Sequence, residues 1–561
     1  MASDIKYIIL INTLKIVLLL VASPVICLGQ LLQQKAAYSR ADSLRGSLSS
    51  PLRTCYDINF YHLDVRFDID KKMISGSNLF KFTATKDFRK LQFDLFSNLT
   101  IERVRYKGLN LSYRREFNAV FVTFPKTILK DSKDEFTVFY SGKPTIAKHA
   151  PWDGGVVFAM DSLGKPWVAT ACQGIGASIW WPNKDQQDDE VDSALISISV
   201  PDQLKDVSNG RLRKVIPLND GYTRFDWFVA NPINNYDIEA NIGDYTHFND
   251  SYNGEKGLLS LDYWVLSYNE DKARKQFGNN VKPMLTAFEH WFGPYPFYED
   301  GYKLIETPHL GMEHQSGTAY GNKYRNGYLG RDLSGTGRGL TWDFIIIHES
   351  GHEWFGNSIT AKDIADMWIH ESFTNYSESL FIENTIGKLA GQEYVHGSRR
   401  SILNDEPIIG PYGVNKEGSG DMYAKGSAIL NMIRTIINDD EKWRSILKGL
   451  NSKFYHRTVV SKEITNYINE QSGINFDPVF DQYLKHSGIP TLEFRFENGR
   501  TWCRWIADVA GFNMQVRIRT KGRPYILISP TTTFRPVDVS GLNKENLEVD
   551  TFNYYIGVLI E

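Results

Sequence analysis

Residues 341–356 read TWDFIIIHESGHEWFG, and residues 368–376 read WIHESFTNY. His348 and His352 are four apart, so on a helix they share one face, one turn apart, where both imidazoles can hold a single zinc ion. Glu349 points about 100° round the helix from His348. It need not be a ligand and can serve as the base on an attacking water. The apolar run Phe344–Ile347 would bury this helix and give the ligands a rigid, water-poor support. HExxH alone is a weak signal. Here a second helical segment places Glu371 with 18 residues between it and His352. Catalytic zinc takes three protein ligands and keeps a fourth position open, and two histidines with one glutamate are a standard set. A helix, a turn and a second helix packed alongside would return Glu371 to the metal. The spacing therefore predicts one catalytic Zn2+ per chain, held by His348, His352 and Glu371.

Outward from this segment the texture divides the chain in three. From about residue 53 to 245, stretches such as YHLDVRFDID, SNLFKFTAT, LQFDLF, LTIERVRY and EFTVFYSG alternate apolar and polar residues between turn-formers. Short strands at that spacing indicate an antiparallel sandwich or a saddle-shaped sheet. ALISISVP and SNGRLRKV read as one more hairpin of the same region. Helical spacing then dominates as far as about residue 487, and strand patterns return from 489 to the end. The expected division is a signal peptide (1–29), a linker (30–52), a β-rich domain (53–253), a catalytic domain (254–487) and a small β domain (488–561).

At 561 residues the chain has room for three or four domains of about 150 residues each. Hydrophobic residues make up 42% and aromatic residues 13%, which excludes a mainly disordered chain. Lys plus Arg number 63 against 66 Asp plus Glu, so nothing points to nucleic acid or an anionic membrane surface as partner. Residues 16–28, IVLLLVASPVICL, are too short for a bilayer span of about 20 residues but suit a signal-peptide core. Cys27 and Gly29 stand at −3 and −1 of a cleavage before Gln30. An exported protein, periplasmic or extracellular, is expected, with an uncleaved membrane anchor as the alternative. Of four cysteines, Cys27 falls in the leader; a Cys55–Cys172 bridge and isolated buried thiols both stay open. Asn98 and Asn110 lie in glycosylation sequons.

The motifs together resemble those of the gluzincin zinc aminopeptidases, the group that includes aminopeptidase N and the leukotriene-epoxide hydrolase. His348 to Asn357 resembles the family's HExxHxWxGN stretch, and WIHESF its second-helix motif. Leu310-Gly311-Met312-Glu313-His314 is similar to its Gly-x-Met-Glu-Asn exopeptidase motif, and Tyr423-Ala-Lys425-Gly426 to its Tyr-x-Lys-Gly. Gln173, in ACQGIGASIWWPNKD, matches a segment whose Gln or Glu helps hold the substrate's amino terminus. The resemblance covers roughly residues 56–484 and continues more loosely to the C-terminus.

It implies a multi-domain α+β fold: an N-terminal β-saddle, a thermolysin-like, mainly helical zinc domain and a small C-terminal β-sandwich. It also implies an aminopeptidase acting on peptides with a free N-terminus. Tyr423 would stabilise the oxyanion, Glu313 with Gln173 would hold the α-ammonium, and the Gly311–Met312 backbone would approach the substrate closely. Three positions depart from the pattern: Leu310 for Gly, His314 for Asn, and Ser178 where relatives often have Arg. About seventy residues follow Ile489, too few for the large helical domain that many relatives carry, so a more open cleft is expected. Two rival readings remain. The same zinc site could serve endopeptidase or epoxide hydrolysis, or the chain could be an inactive secreted binding module. Trp180, Trp181 and Trp354 read as core aromatics, and the remaining histidines lack ligand spacing.

Overall fold

Strand Tyr56–Asp68 buries Tyr61, Leu63, Val65 and Phe67 at every second position, the period of a pleated strand with one face in a core. It lies inside an eight-stranded sheet, antiparallel to Met73–Ala84 and parallel to Ser193–Pro201, with Leu63 opposite Asn78 and Ile196. A three-stranded sheet (Phe88–Asp94, Ser112–Glu116, Ala119–Ile128) and a four-stranded one complete the β-rich part. Phe80, Phe93, Phe136, Trp180 and Trp181 fill the core among these sheets, so the two tryptophans are core residues as expected. The computed structural model describes residues 38–46, 50–497 and 499–561. The expected leader, with Cys27, lies outside them.

The expected hairpin between 193–201 and 211–217 is not formed. Arg211–Pro217 pairs with Tyr222–Val229, and that strand lies next to Ser193–Pro201. The reason is the turn at Leu218–Gly221, where Asn219 (φ 60°) and Gly221 (φ 85°) take left-handed conformations that close a tight hairpin. The described part of the expected linker is also structured. Arg40–Arg45 forms a capped helix, and its Leu44 packs on Ala119 and Phe121.

Tyr245–Gly254 and Gly257–Leu266 form a hairpin in a five-stranded sheet with Tyr302–Glu306, Gly311–Met312 and Thr318–Tyr320. The boundary expected at 253/254 falls beside the turn of this hairpin, and the sheet begins before it. Helix α1 (Glu270–Phe292) packs Phe277, Val281, Leu285, Phe288 and Phe292 inward, a face with helical spacing. Three further helices carry the motifs: α2 (Phe344–Gly351), α3 (Trp368–Thr385) and α4 (Ala424–Ile437). Two small sheets of three and four strands follow from Thr491. Their Leu492, Phe494, Trp505 and Val516 join the same core as the helices. The architecture is the expected one: β-rich sheets, then a mainly helical part that carries the motifs, then two small sheets at the C-terminal end. Cys55, Cys172 and Cys503 are buried free thiols, so the Cys55–Cys172 bridge is absent. No helix among the described residues is long and apolar enough to cross a membrane.

The segment that carries Gln173 is held in place by buried charge. Arg53, fully buried, donates to Asp94 (2.5 Å), to Gln186 (2.8 Å) and to the Asp185 carbonyl (2.8 Å). Arg45 and the Ser178 hydroxyl both donate to Asp185 Oδ2. The Arg40–Arg45 helix thus brings a guanidinium to the same carboxylate oxygen that Ser178 engages. Removing one partner of a buried ion pair strands the other in low dielectric, at about 3–5 kcal/mol. Arg53→Ala is expected to lower unfolding stability by about that amount in urea denaturation; a loss below about 1 kcal/mol would show the network to be incidental.

Candidate active site

Helix α2 starts at Asp343, which stands just before the apolar run and caps it by accepting from the Ile346 N–H. The carboxylate of Asp343 also accepts from Gln276, Tyr320 and Asn322, so α1 and the adjoining sheet fix the helix origin. At its other end Gly351 lies against α3: a Cβ there would meet Ser377 Oγ at 2.6 Å. On the opposite flank of α3, a Cβ at Gly426 of α4 would meet Ser372 Oγ at 1.9 Å. Space is tightest at Gly426, where a Cβ would also meet Ser372 Cβ at 2.4 Å, and α3 packs closely between α2 and α4.

This packing brings Glu371 to the histidines. Glu371 Oε2 lies 3.7 Å from His348 Nε2 and 3.4 Å from His352 Nε2, and it has no hydrogen-bond partner although it is buried. Donors about 2.0–2.1 Å from a tetrahedral zinc sit roughly 3.3–3.4 Å apart, so this triangle fits the ion with little adjustment. The outer imidazole nitrogens face away from it. His348 Nδ1 donates to Glu378 Oε1 (2.7 Å), and His352 Nδ1 to the Phe355 carbonyl (3.1 Å). These bonds present both Nε2 atoms to a metal. Glu378 is held in turn by Tyr394 (2.5 Å) and Asn375 (2.9 Å). Donor atoms of His348, Glu349 and His352 also lie within 4.8 Å of one another, so Glu349 borders the same centre. Burial pushes its carboxyl up, and the Glu313 charge adds to this against the lowering effect of His348.

Strand Gly311–Met312 runs over α2 so closely that a Cβ at Gly311 would meet Ile345 Cγ2 at 2.7 Å and Glu349 Oε1 at 3.0 Å. That contact accounts for the glycine retained in this motif. Glu313 follows on the strand, buried, with Oε1 unpartnered. Asn357 holds the Glu313 carbonyl (2.8 Å), and Glu353 accepts from the Ser316 N–H (2.9 Å). His314, the departure from the usual Asn, pairs with Glu239 at 2.7 Å, both fully buried, and so ties the motif strand to the β-rich part. Leu310 forms part of the cleft wall. Tyr423 faces the cleft at 38% exposure, its ring stacked 6.0 Å from His348. Enclosure and the Glu371 charge push its phenol well above the ordinary value, so it stays a proton donor. Gln173 Nε2 donates to Glu371 Oε1 (2.9 Å). All nine residues singled out from the sequence line one cleft of about 770 Å³.

Residues 279–483 match the model of the Peptidase family M1 domain. The chain is 22% identical over 471 residues to a probable aminopeptidase 1 of Sulfurisphaera tokodaii, covering 78% of this chain and 54% of the relative. It is 28% identical over 220 residues to an aminopeptidase N of Lactococcus lactis, 35% of this chain and 26% of that one. The chain thus spans about half the length of the archaeal relative and less of the bacterial one. Among solved structures, an M1 zinc metallopeptidase of Deinococcus radiodurans superposes with TM-score 0.65 at 18% identity, over 81% of this chain and 98% of that one. At that identity the likeness concerns the fold. A mutant from the same organism, solved with a Tyr-Ser-Ala substrate, gives 0.64 at 17%, over 78% and 95%.

Three residues of the site escaped the sequence reading. Glu378 follows Glu371 by seven, two turns along the same helix, and that spacing was a usable signal. Asp343 stands at the N-cap position before an apolar run, which was another. Glu239 lies far from His314 in sequence and no local pattern marks it. Glu378→Gln is expected to weaken zinc binding about 10- to 100-fold in a chelator competition; unchanged affinity would remove Glu378 from the alignment of His348.

Proposed function

We propose that this chain is a zinc-dependent aminopeptidase that removes N-terminal residues from peptides. The reading is carried by one observation: His348, His352 and the unpartnered Glu371 Oε2 converge in a cleft that also holds the unpartnered Glu313. His348, His352 and Glu371 would hold the metal, one zinc per chain. Zinc bound there would acidify a water and polarise the scissile carbonyl.

The remaining steps fall to the chain's own groups. Glu349 takes the proton from the attacking water and passes it to the departing amine. The Tyr423 hydroxyl donates to the carbonyl oxygen as charge develops on it. Glu313 binds the substrate's α-ammonium, and Gln173 sits beside it on the outer oxygen of Glu371. The Gly311–Met312 strand lies flat along α2, which brings its backbone within reach of an extended peptide. A blocked N-terminus leaves the Glu313 charge buried and unpaired, so such substrates are rejected. The leader at residues 1–29 supports export as part of the same proposal.

Leucyl- and acetyl-leucyl-coumarylamide test the reading. Hydrolysis of the free amine alone, lost with chelator, restored by zinc and reduced at least about 100-fold in Glu349→Gln, is expected. Equal cleavage of both substrates would favour an endopeptidase. No chelator-sensitive turnover would overturn the proposal.

A further inference from the structure

Two carboxylates in the cleft, Asp153 and Glu417, have no part in the chemistry above. Glu417 lies on the loop between Ile402 and Ser419, six residues before Tyr423, and lines the cleft. The loop is pinned from several sides. Gly410 N–H donates to the Ala365 carbonyl, Gly413 N–H to Asp363 (2.8 Å), and Asn415 Nδ2 to the Gly174 carbonyl (3.1 Å). Glu417 itself rests on Gly174, where a Cβ would meet its Oε1 at 2.9 Å. Its carboxylate is therefore positioned beside Gln173, the residue bonded to Glu371. Among the described residues no hydrogen bond or ion pair engages it.

Charge accounting shows what is missing. The cleft lining holds five carboxylates (Asp153, Glu313, Glu349, Glu371 and Glu417) and no Lys or Arg. Asp153 is occupied by the backbone N–H groups of Lys148 and His149. On the aminopeptidase reading, a zinc ion held by His348, His352 and Glu371 would offset Glu349 and Glu371, and a substrate α-ammonium would offset Glu313. Glu417 is left over, half-buried and without a cation. A carboxylate drawn partly out of water gains from a cation, and among the described residues that line the cleft none supplies one, so a basic substrate side chain can. Without that cation its carboxyl is pushed up to about 7, first by burial and then by the charges of Glu371 and Glu313. Ile175, on the turn after Gly174, and Met312 give the cleft apolar surface along which an aliphatic stem can lie.

Resting on the aminopeptidase reading, we infer that Glu417 is a specificity-determining residue: it receives the guanidinium or ammonium of an N-terminal Arg or Lys and makes the cleft select basic residues. Arginine and citrulline have nearly the same shape and differ in that charge, so they isolate the interaction. The zinc-loaded full chain is assayed on arginyl-, citrullyl- and leucyl-coumarylamide, and L-arginine and L-citrulline binding are compared by calorimetry. The expected result is kcat/KM at least about 10-fold higher for arginyl than for citrullyl, with the same order in affinity. In Glu417→Gln both ratios should fall close to one, and Glu417→Asp should keep part of the preference. Leucyl hydrolysis with no arginyl preference overturns this inference and leaves the aminopeptidase reading standing. A preference that survives Glu417→Gln overturns the role of Glu417. No turnover of any free-amine substrate removes the aminopeptidase reading, and equal binding of arginine and citrulline would then overturn the inference by itself. If Glu417→Gln does not fold, the wild-type arginyl-to-citrullyl ratios and the Glu417→Asp variant decide.

Discussion

The site depends on the close contact of two helices at Gly351 and Ser377. α2 carries both histidines, and α3 carries the acid that completes the triangle. Their separation is set by what lies between them: a glycine on α2 facing the small side chains of Ser377 and Thr374 on α3. The second contact, Gly426 against Ser372, presses α3 from the other side and puts Tyr423, at the start of α4, over His348. Small residues at two helix contacts therefore set the distances among four functional side chains. The apolar core around them supplies the stiffness: Trp354, Phe355, Phe373 and Trp368 pack directly behind the ligands.

Concentrating acids is the second constraint. Glu313, Glu349, Glu371 and Glu417 share one cleft, and Glu378, Glu353 and Glu239 stand just behind it. Low dielectric makes such a cluster repulsive unless cations complete it. The outer acids have partners within the chain: Glu378 has His348, Tyr394 and Asn375, Glu353 has Tyr295 and backbone, and Glu239 has His314 and Asn241 on one oxygen, its Oε1 being unpartnered. The inner ones retain unpartnered oxygens at Glu371 and Glu313. The β-rich part is an active participant, since Gln173, Arg45 and Arg53 reach the cleft or brace the segment that does.

Much of this was legible in the residues because helices impose fixed spacing. His348, Glu349, His352 and Glu371 could be placed from helical periodicity and one loop length, and the matching motifs supplied Glu313, Gln173 and Tyr423. What stayed hidden depends on long-range contact. Gln173 and Glu371 are 198 residues apart, and nothing local announces that they touch. The Glu239–His314 pair is hidden for the same reason, and it explains a departure that looked merely irregular. Glu417 sits in a loop without periodicity, so only the fold shows that it faces the cleft. The strand pairing around 193–229 was misread because alternation marks strands but not their neighbours; the turn at Asn219 and Gly221 selects them.

The most direct test is crystallography of the zinc-loaded protein with data on both sides of the zinc absorption edge. One anomalous peak per chain is expected, about 2.0–2.2 Å from His348 Nε2, His352 Nε2 and Glu371 Oε2, with Glu349 outside the coordination sphere. A peak ligated by Glu349 in place of Glu371, or no peak at saturating zinc, would contradict the assignment.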